Sequence, residues 1–116
     1  MSATKSPKQH MEKTRIELLQ ESLLTNPDAT FIRYALAMEL SNAGSGEEAW
    51  RHFEYLLNHH PDYAATYFQA GRLLASLGRR DEAREILAKG IEVAGRQGNT
   101  HAQGELEAAL NELGSR

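Results

Sequence analysis

The sequence contains no cysteine, only 3 prolines among its 116 residues, and no long run of apolar residues. Without cysteine there is no disulfide, no thiolate metal site and no cysteine nucleophile. The scarcity of proline favours long, uninterrupted helices. A helix that spans a membrane needs about 18 or more consecutive apolar residues, and the polar N-terminus lacks the apolar segment of a secretory signal. We therefore expect a cytoplasmic protein with no membrane partner.

Basic residues do not exceed acidic ones, because 13 Lys and Arg stand against 16 Asp and Glu, for a formal net charge of −3. Nucleic acid is therefore not an expected partner. The 5 histidines form neither an HExxH motif nor an i, i+4 pair, so no metal site is expected. Glycine-rich phosphate loops are missing as well. We expect no cofactor, no catalytic residue and no enzymatic activity.

A repeat with a period of 34 residues runs through the middle of the chain. Pro27-Asp28 recurs as Pro61-Asp62, and Gly44 recurs as Gly78. Further pairs at the same offset are Leu40 with Leu74, Glu48-Ala49 with Glu82-Ala83, Tyr34 with Phe68, and Phe53 with Leu87. Leu19 and Leu23 precede Phe53 and Leu57 by the same offset, which indicates half of an earlier copy.

Apolar residues recur at helical spacing within each copy, and turn residues separate the apolar stretches. The pattern predicts one helix that follows Ser6-Pro7 and ends near Thr25. It predicts five more helices near residues 29–43, 46–59, 63–77, 80–94 and 100–113. Short connections between them make neighbouring helices antiparallel.

Helix ends are predicted from capping residues. Asp28 is expected to cap the second helix, Ser45 with Glu48 forms a capping-box pattern, and Asn99 or Thr100 is expected to cap the last helix. Gly44 and Gly78 permit the left-handed residue that ends a helix. Gly95 and Gly98 are expected to mark the turn before the last helix.

Small residues occupy positions where paired helices must approach closely, since a larger side chain there would force the helices apart. They are Ala37 and Ala49 in the first copy, and Gly71, Ala83 and Gly90 in the second. Large apolar residues fill the spaces between them: Leu36, Leu40, Phe53, Leu57, Leu74, Leu87 and Ile91.

These residues at this spacing resemble the tetratricopeptide repeat, as found in small bacterial proteins of that family. The resemblance implies an all-α fold, a right-handed superhelix of antiparallel α-hairpins with about six helices. It implies a disordered tail over 1–7 and one domain over 8–116, divided into a half repeat (8–26), two repeats (27–60 and 61–94) and a capping helix (98–114). One departure is Arg33, which stands where the second copy has the aromatic Tyr67.

The resemblance also implies a function, because the first helices of stacked pairs line a concave face that often binds a peptide or helix of a partner protein. We expect this face to carry the partner-binding residues Phe31, Tyr34, Met38, Phe68, Gln69 and Arg72. A family subtype that clamps the carboxylate of chaperone tails uses Lys and Asn on these helices. Only Gln69 keeps an amide here, so that subtype is disfavoured.

Self-association into a homodimer with no separate ligand is the alternative, because two and a half repeats leave the ends of the stack exposed. The contacts expected for it are Trp50, Leu106 and Leu110. A concentration-dependent mass would favour this hypothesis over a groove that binds a different protein.

Overall fold

The computed structural model describes residues 13–114, which form six α-helices and, over that range, no strand. Helical periodicity and the absence of proline inside these segments account for their continuity. The helices are α1 (Arg15–Thr25), α2 (Thr30–Asn42), α3 (Gly46–His59), α4 (Ala65–Ser76), α5 (Arg80–Arg96) and α6 (Thr100–Gly114). Within residues 13–114, no helix is both long and apolar enough to cross a membrane.

Each helix packs on its neighbours in the chain, and the molecule measures 58 × 32 × 21 Å. Helices α2 and α3 form one pair and α4 and α5 form the next. The first helix of each pair also contacts the helix that follows the pair: α2 contacts α4, and α4 contacts α6. They therefore form one layer, whose outer surface is here called the first-helix face. The predicted all-α repeat fold is confirmed.

Three helix-ending turns share one hydrogen-bond pattern. The N–H of Ser45 donates to the carbonyl of Leu40, and the N–H of Arg79 donates to the carbonyl of Leu74, both at 2.9 Å. Gly44 and Gly78 lie just before these donors with φ of 85° and 80°. Such a 6→1 bond needs a left-handed residue, which glycine adopts without strain. The predicted role of both glycines is confirmed.

Two of the predicted helix caps are wrong. The side chain of Ser45 makes no capping hydrogen bond, and α2 begins after Ala29 without a side-chain cap. The carboxylate of Asp28 instead accepts hydrogen bonds from His60 Nε2 at 2.7 Å and from Tyr55 Oη at 3.1 Å. Asp28 therefore joins the beginning of the first repeat to its end, and α2 begins without a capping bond from its carboxylate.

Two other helix starts are capped. Asn99 caps α6, as predicted, because its Oδ1 accepts from the N–H of Ala102 at 3.1 Å. Thr14 caps α1 in a reciprocal capping box with Glu17. The cap predicted at Ser6-Pro7 and the tail predicted over 1–7 lie outside the described residues.

Helix α5 is longer than the predicted span of 80–94. It continues through Gly95 to Arg96, so the expectation that Gly95 marks a turn is wrong, and Gly98 (φ 67°) supplies the left-handed residue alone. Val93 and Ala94 are buried in the last part of α5 and pack into the core. This tertiary packing stabilises the helix across a residue of low helical propensity.

Small residues create close helix contacts as predicted. Ala37, Ala49 and Ala83 are fully buried. A Cβ on Gly71 would lie 2.5 Å from a methyl of Leu87, and a Cβ on Gly90 would lie 2.5 Å from the Cβ of Tyr67. Two clusters of apolar side chains result, one centred on Phe53 and one on Tyr67, and half-buried Trp50 contacts both.

Candidate functional site

Tyr34 is half-buried on α2 and connects this helix to α3, to α4 and to the loop between them. Its ring packs edge-on against Phe53 and Tyr63, with ring centroids 6.2 Å and 5.4 Å away. Burial raises the pKa of Tyr34 above its usual value, the nearby Tyr63 and Glu105 act in the same direction, and a hydrogen bond with Gln69 opposes them. Tyr34 and Gln69 therefore fix α2 against α4.

A groove of about 750 Å³ runs between α4 and α6. Phe68 and Arg72 line it from α4, and the Arg72 guanidinium lies 5.6 Å from the centroid of the Phe68 ring. The side of α6 contributes Glu105, Ala108, Ala109, Asn111 and Glu112. Helix α6 forms one wall of this groove and packs against α4 and α5.

A second depression, of about 550 Å³, lies where α2 begins. Phe31 stands at its edge with 70% of its surface exposed, which is unusual for so large an apolar side chain. Residues of α2 and of the loop between α3 and α4 form the remaining lining: Thr30, His59, His60, Pro61, Asp62 and Tyr63. Phe31 is not among the residues that pack into either apolar cluster.

The predicted partner-binding residues thus divide into two groups. Phe31 and Arg72 are exposed, while Tyr34, Met38, Phe68 and Gln69 are half-buried. Met38 packs against the apolar cluster around Phe53, so part of its side chain belongs to the core. All six residues lie on α2 and α4, but they do not form one continuous groove. Phe68 and Arg72 line one depression and Phe31 lines the other, whereas Tyr34, Met38 and Gln69 line neither of the two.

The side chains expected at a homodimer contact pack mostly against other residues of the same chain. Leu106 is only 1% exposed and packs in the core, where Gly90 lies close to it. It is therefore not available to a second copy, because α6 turns this side chain toward α5. Leu110 is half-buried in the same cluster. Trp50 is half-buried, and the Arg79 guanidinium lies 5.3 Å from the centroid of its ring.

A polar network in the first repeat was not predicted from the sequence. Arg33 lies over the ring of Tyr55 at 3.8 Å and contacts His52 Nδ1 at 3.0 Å. The ring of His59 stacks on Tyr55 at 4.0 Å. Burial, followed by the positive charge of Arg33, lowers the pKa of His52. The sequence contained one indication of this network, because Arg33 stands where the second copy has the aromatic Tyr67.

The groove residues of α6 were also missed. Glu105 and Glu112 are seven positions apart, with Ala108 and Ala109 between them. An acid–small–acid pattern at helical spacing was therefore visible, but its relation to Phe68 depends on how α6 packs against α4. Within the described part of the chain, no three His, Asp or Glu residues cluster in a way that could hold a metal ion.

Stacked antiparallel helix pairs with a 34-residue period define a helical-repeat protein. The Tetratricopeptide repeat family matches residues 40–97, which is half of the chain. The chain belongs to the tetratricopeptide repeat family. Members of this family are generally modules for protein–protein interaction and generally non-catalytic scaffolds.

Similar proteins agree with this assignment. A tetratricopeptide repeat domain protein from Salinibacter ruber is 36% identical, and its crystal structure covers 76% of this chain and 98% of its own, with a TM-score of 0.73. A TPR repeat-containing protein of Pseudomonas aeruginosa is 26% identical over 84% of this chain and 93% of its own length. A structure from Bordetella parapertussis, 23% identical, shares the fold with a TM-score of 0.78 over 90% of both chains.

Proposed function

We propose that this protein binds a peptide or helix of a partner protein on its first-helix face and performs no chemistry. The observation that carries the proposal is the open groove between α4 and α6, with the apolar ring of Phe68 on one side and Ala109 on the other. Partner-binding sites are typically concave and apolar with a few polar groups that fix orientation. Aromatic and arginine side chains are typical anchors of such contacts.

Each predicted residue has a distinct role in this proposal. Phe68 and Arg72 contact the partner inside the groove, and Phe31 contacts a second part of the partner at the start of α2. Tyr34 and Gln69 hold α2 against α4 and set the shape of the face between the two depressions. Met38 contributes the apolar edge that its core packing leaves exposed.

A peptide-display selection tests this function without knowledge of the natural partner. Peptides selected on the wild-type protein are expected to shift the amide NMR signals of Phe68, Arg72 and α6. Phe68→Ala and Arg72→Ala should each weaken these peptides about 5-fold or more, the range typical of interface anchors. Lys89→Ala, at an exposed position on α5 outside both depressions, is the matched control.

Two outcomes of this experiment would contradict the proposal. One is a set of selected peptides whose shifts lie on α3 and α5 instead of the first-helix face. The other is a set whose affinity is the same for Phe68→Ala, Arg72→Ala and Lys89→Ala. Circular dichroism of each variant separates loss of a contact from loss of helical structure.

Self-association is the second candidate, and one observation favours it. Leu18 and Leu24 on α1 are 52% and 83% exposed, and α1 packs only on α2 among residues 13–114. Exposed apolar side chains on a helix favour contact with another chain. Light scattering at increasing concentration should then show a mass above 12.9 kDa, which Leu24→Ser lowers. A constant mass of 12.9 kDa would exclude this candidate.

We propose the same repeat boundaries that the sequence suggests, 27–60 and 61–94, flanked by a half repeat over 8–26 and a capping helix over 98–114. The cytoplasmic location, the absence of enzymatic activity and the absence of nucleic-acid or membrane partners stay predictions. Each can be tested on the natural protein, the first by fractionation of the source cells.

A further inference from the structure

The α6 wall of the groove has a regular chemical pattern. Glu105 and Glu112 are seven residues apart, which places them on one side of the helix at a separation of about 10.5 Å along its axis. Ala108 and Ala109 lie between them and also line the groove. The wall is therefore a short apolar patch of small side chains with a carboxylate at each end.

The opposite wall, on α4, complements this pattern. Phe68 offers the large apolar surface of the groove, and Arg72 lies over its ring. Two carboxylates and one guanidinium are therefore the formal charges among the lining residues, and the groove is acidic on balance. His101 lies 3.5 Å from Glu105 through its Nε2 atom, at an exposed position outside the groove.

The geometry points to a partner that is a basic amphipathic helix, with an apolar side chain against Phe68 and a Lys or Arg opposite each of Glu105 and Glu112. This inference rests on the proposed function and names the chemical class of the partner. It follows from charge complementarity along the α6 wall, because like charges there would repel an acidic segment. The expected pattern is Lys-x-x-Leu-x-x-x-Lys.

A helical partner fits the groove better than an extended one for two reasons. Residues i and i+7 of a helix lie on one side about 10.5 Å apart, which matches the separation of the two glutamates. Residues i+3 and i+4 then point between them, toward the alanines and Phe68. Small residues such as Ala108 and Ala109 also allow the backbone of a second helix to approach closely.

Synthetic peptides can test this inference on the full-length protein. The probe is an alanine-based helical peptide with Lys at i and i+7 and Leu at i+3, labelled for fluorescence anisotropy. Controls keep the composition but move the second Lys to i+5, or replace both Lys by Glu. A fourth peptide carries Lys at i and i+3 with prolines outside them, which favours an extended chain.

The i, i+7 lysine peptide is expected to bind most tightly and to shift the NMR signals of Phe68, Ala108 and Ala109. Glu105→Lys and Glu112→Lys should each weaken it about 2- to 5-fold, the range of exposed ion pairs, and more at low salt. The double variant should instead bind the glutamate peptide. Glu107→Lys makes the same charge change at an exposed position on α6 outside the groove, and should retain wild-type affinity.

Other results would overturn the inference, each in a recognisable way. Tighter binding of the glutamate peptide in the same groove would leave the proposed function standing and reverse the charge of the partner. Tighter binding of the extended peptide would exclude a helix. Failure of every peptide to bind would reject the basic helix, while peptides from the display selection decide separately whether the first-helix face binds anything.

Discussion

Arg33 and Tyr67 lie 34 residues apart, and each donates a hydrogen bond to the carbonyl oxygen of the proline six residues before it. Arg33 Nη2 reaches Pro27 at 2.5 Å, and Tyr67 Oη reaches Pro61 at 2.7 Å. Two chemically different side chains thus hold the same turn in two copies of the repeat. The aromatic ring is replaced in the first copy, but the bond between helix and turn is kept.

Tyr67→Phe should lower the free energy of unfolding by about 1 kcal/mol, since it removes the hydrogen bond to Pro61 and keeps the buried ring. Urea denaturation followed by circular dichroism measures the change. The matched control is Tyr55→Phe, which removes a longer, exposed bond to Asp28 and should have a smaller effect. An equal loss in both variants would show that the Tyr67 hydroxyl contributes no more than a surface bond.

Gly90→Ala and Gly104→Ala should change stability in opposite directions. A Cβ at residue 90 would lie 2.5 Å from the Cβ of Tyr67, which cannot rotate away, so α5 must shift from α4 at a cost of about 1 to 3 kcal/mol. Gly104 is exposed on α6 with nothing near its Cβ position, and alanine there should stabilise the helix by about 0.5 to 1 kcal/mol.

The two melting temperatures measure this pair of effects directly. A stabilised Gly90→Ala would mean that the approach of α5 to α4 is looser than the distance of the two Cβ atoms indicates. A destabilised Gly104→Ala would show that the exposed side of α6 is covered in solution.

Thr66→Val is expected to raise the free energy of unfolding by about 1 kcal/mol. The Thr66 side chain is fully buried, and its hydroxyl has no hydrogen-bond partner among residues 13–114. A buried hydroxyl without a partner costs about 1 to 3 kcal/mol, and valine keeps the shape of the side chain. Thr100→Val, at an exposed position, should change stability by less than about 0.5 kcal/mol.

Thermal unfolding of these two variants provides the comparison. If Thr66→Val were instead destabilised, the hydroxyl would have to be hydrogen-bonded in solution.

Acid should destabilise the protein in part through His52. Burial and the charge of Arg33 hold its folded pKa below 6.5, so the unfolded chain binds the proton more readily. Stability from this group is therefore present above pH 6.5 and is lost as the pH falls from 6.5 through the lower folded pKa. His52→Gln should reduce the difference in unfolding free energy between about pH 8 and about pH 5.

The control for that experiment is Asn58→Gln on the same helix, because it changes an exposed side chain that does not titrate. Asp28 affects the stability of the protein in a separate, more acidic pH range. Hydrogen bonds from His60 and then Tyr55 lower its pKa, so the stability that it contributes is lost only as the pH falls below 3.8. A wild-type pH dependence in His52→Gln would exclude the role assigned to His52.

The sequence was sufficient to predict the helices, the glycine turns and the small residues of the core, because each depends on a local spacing that repeats. It was insufficient where a residue has a partner far along the chain. Asp28 was predicted as a cap, yet it bonds to His60. Leu106 was predicted to lie on the surface, because the sequence alone does not show which side of α6 faces α5.

The same limit applies to the candidate site. Phe68 and Arg72 followed from the repeat, since they occupy first-helix positions. Glu105 and Glu112 could not be assigned to the groove from spacing alone, because α6 has no preceding copy of its pattern to compare with. Their placement depends on the packing of α6 against α4 and α5.

The serial packing of the helices has a consequence for folding. Since most contacts join elements adjacent in the chain, the polypeptide need not close long loops before it gains stability, and folding should be fast. Opening should begin at α1, which rests on α2 alone within the described residues. Amides of α1 should then exchange with deuterium long before those of α4, and the molecule would lose its structure progressively from that end.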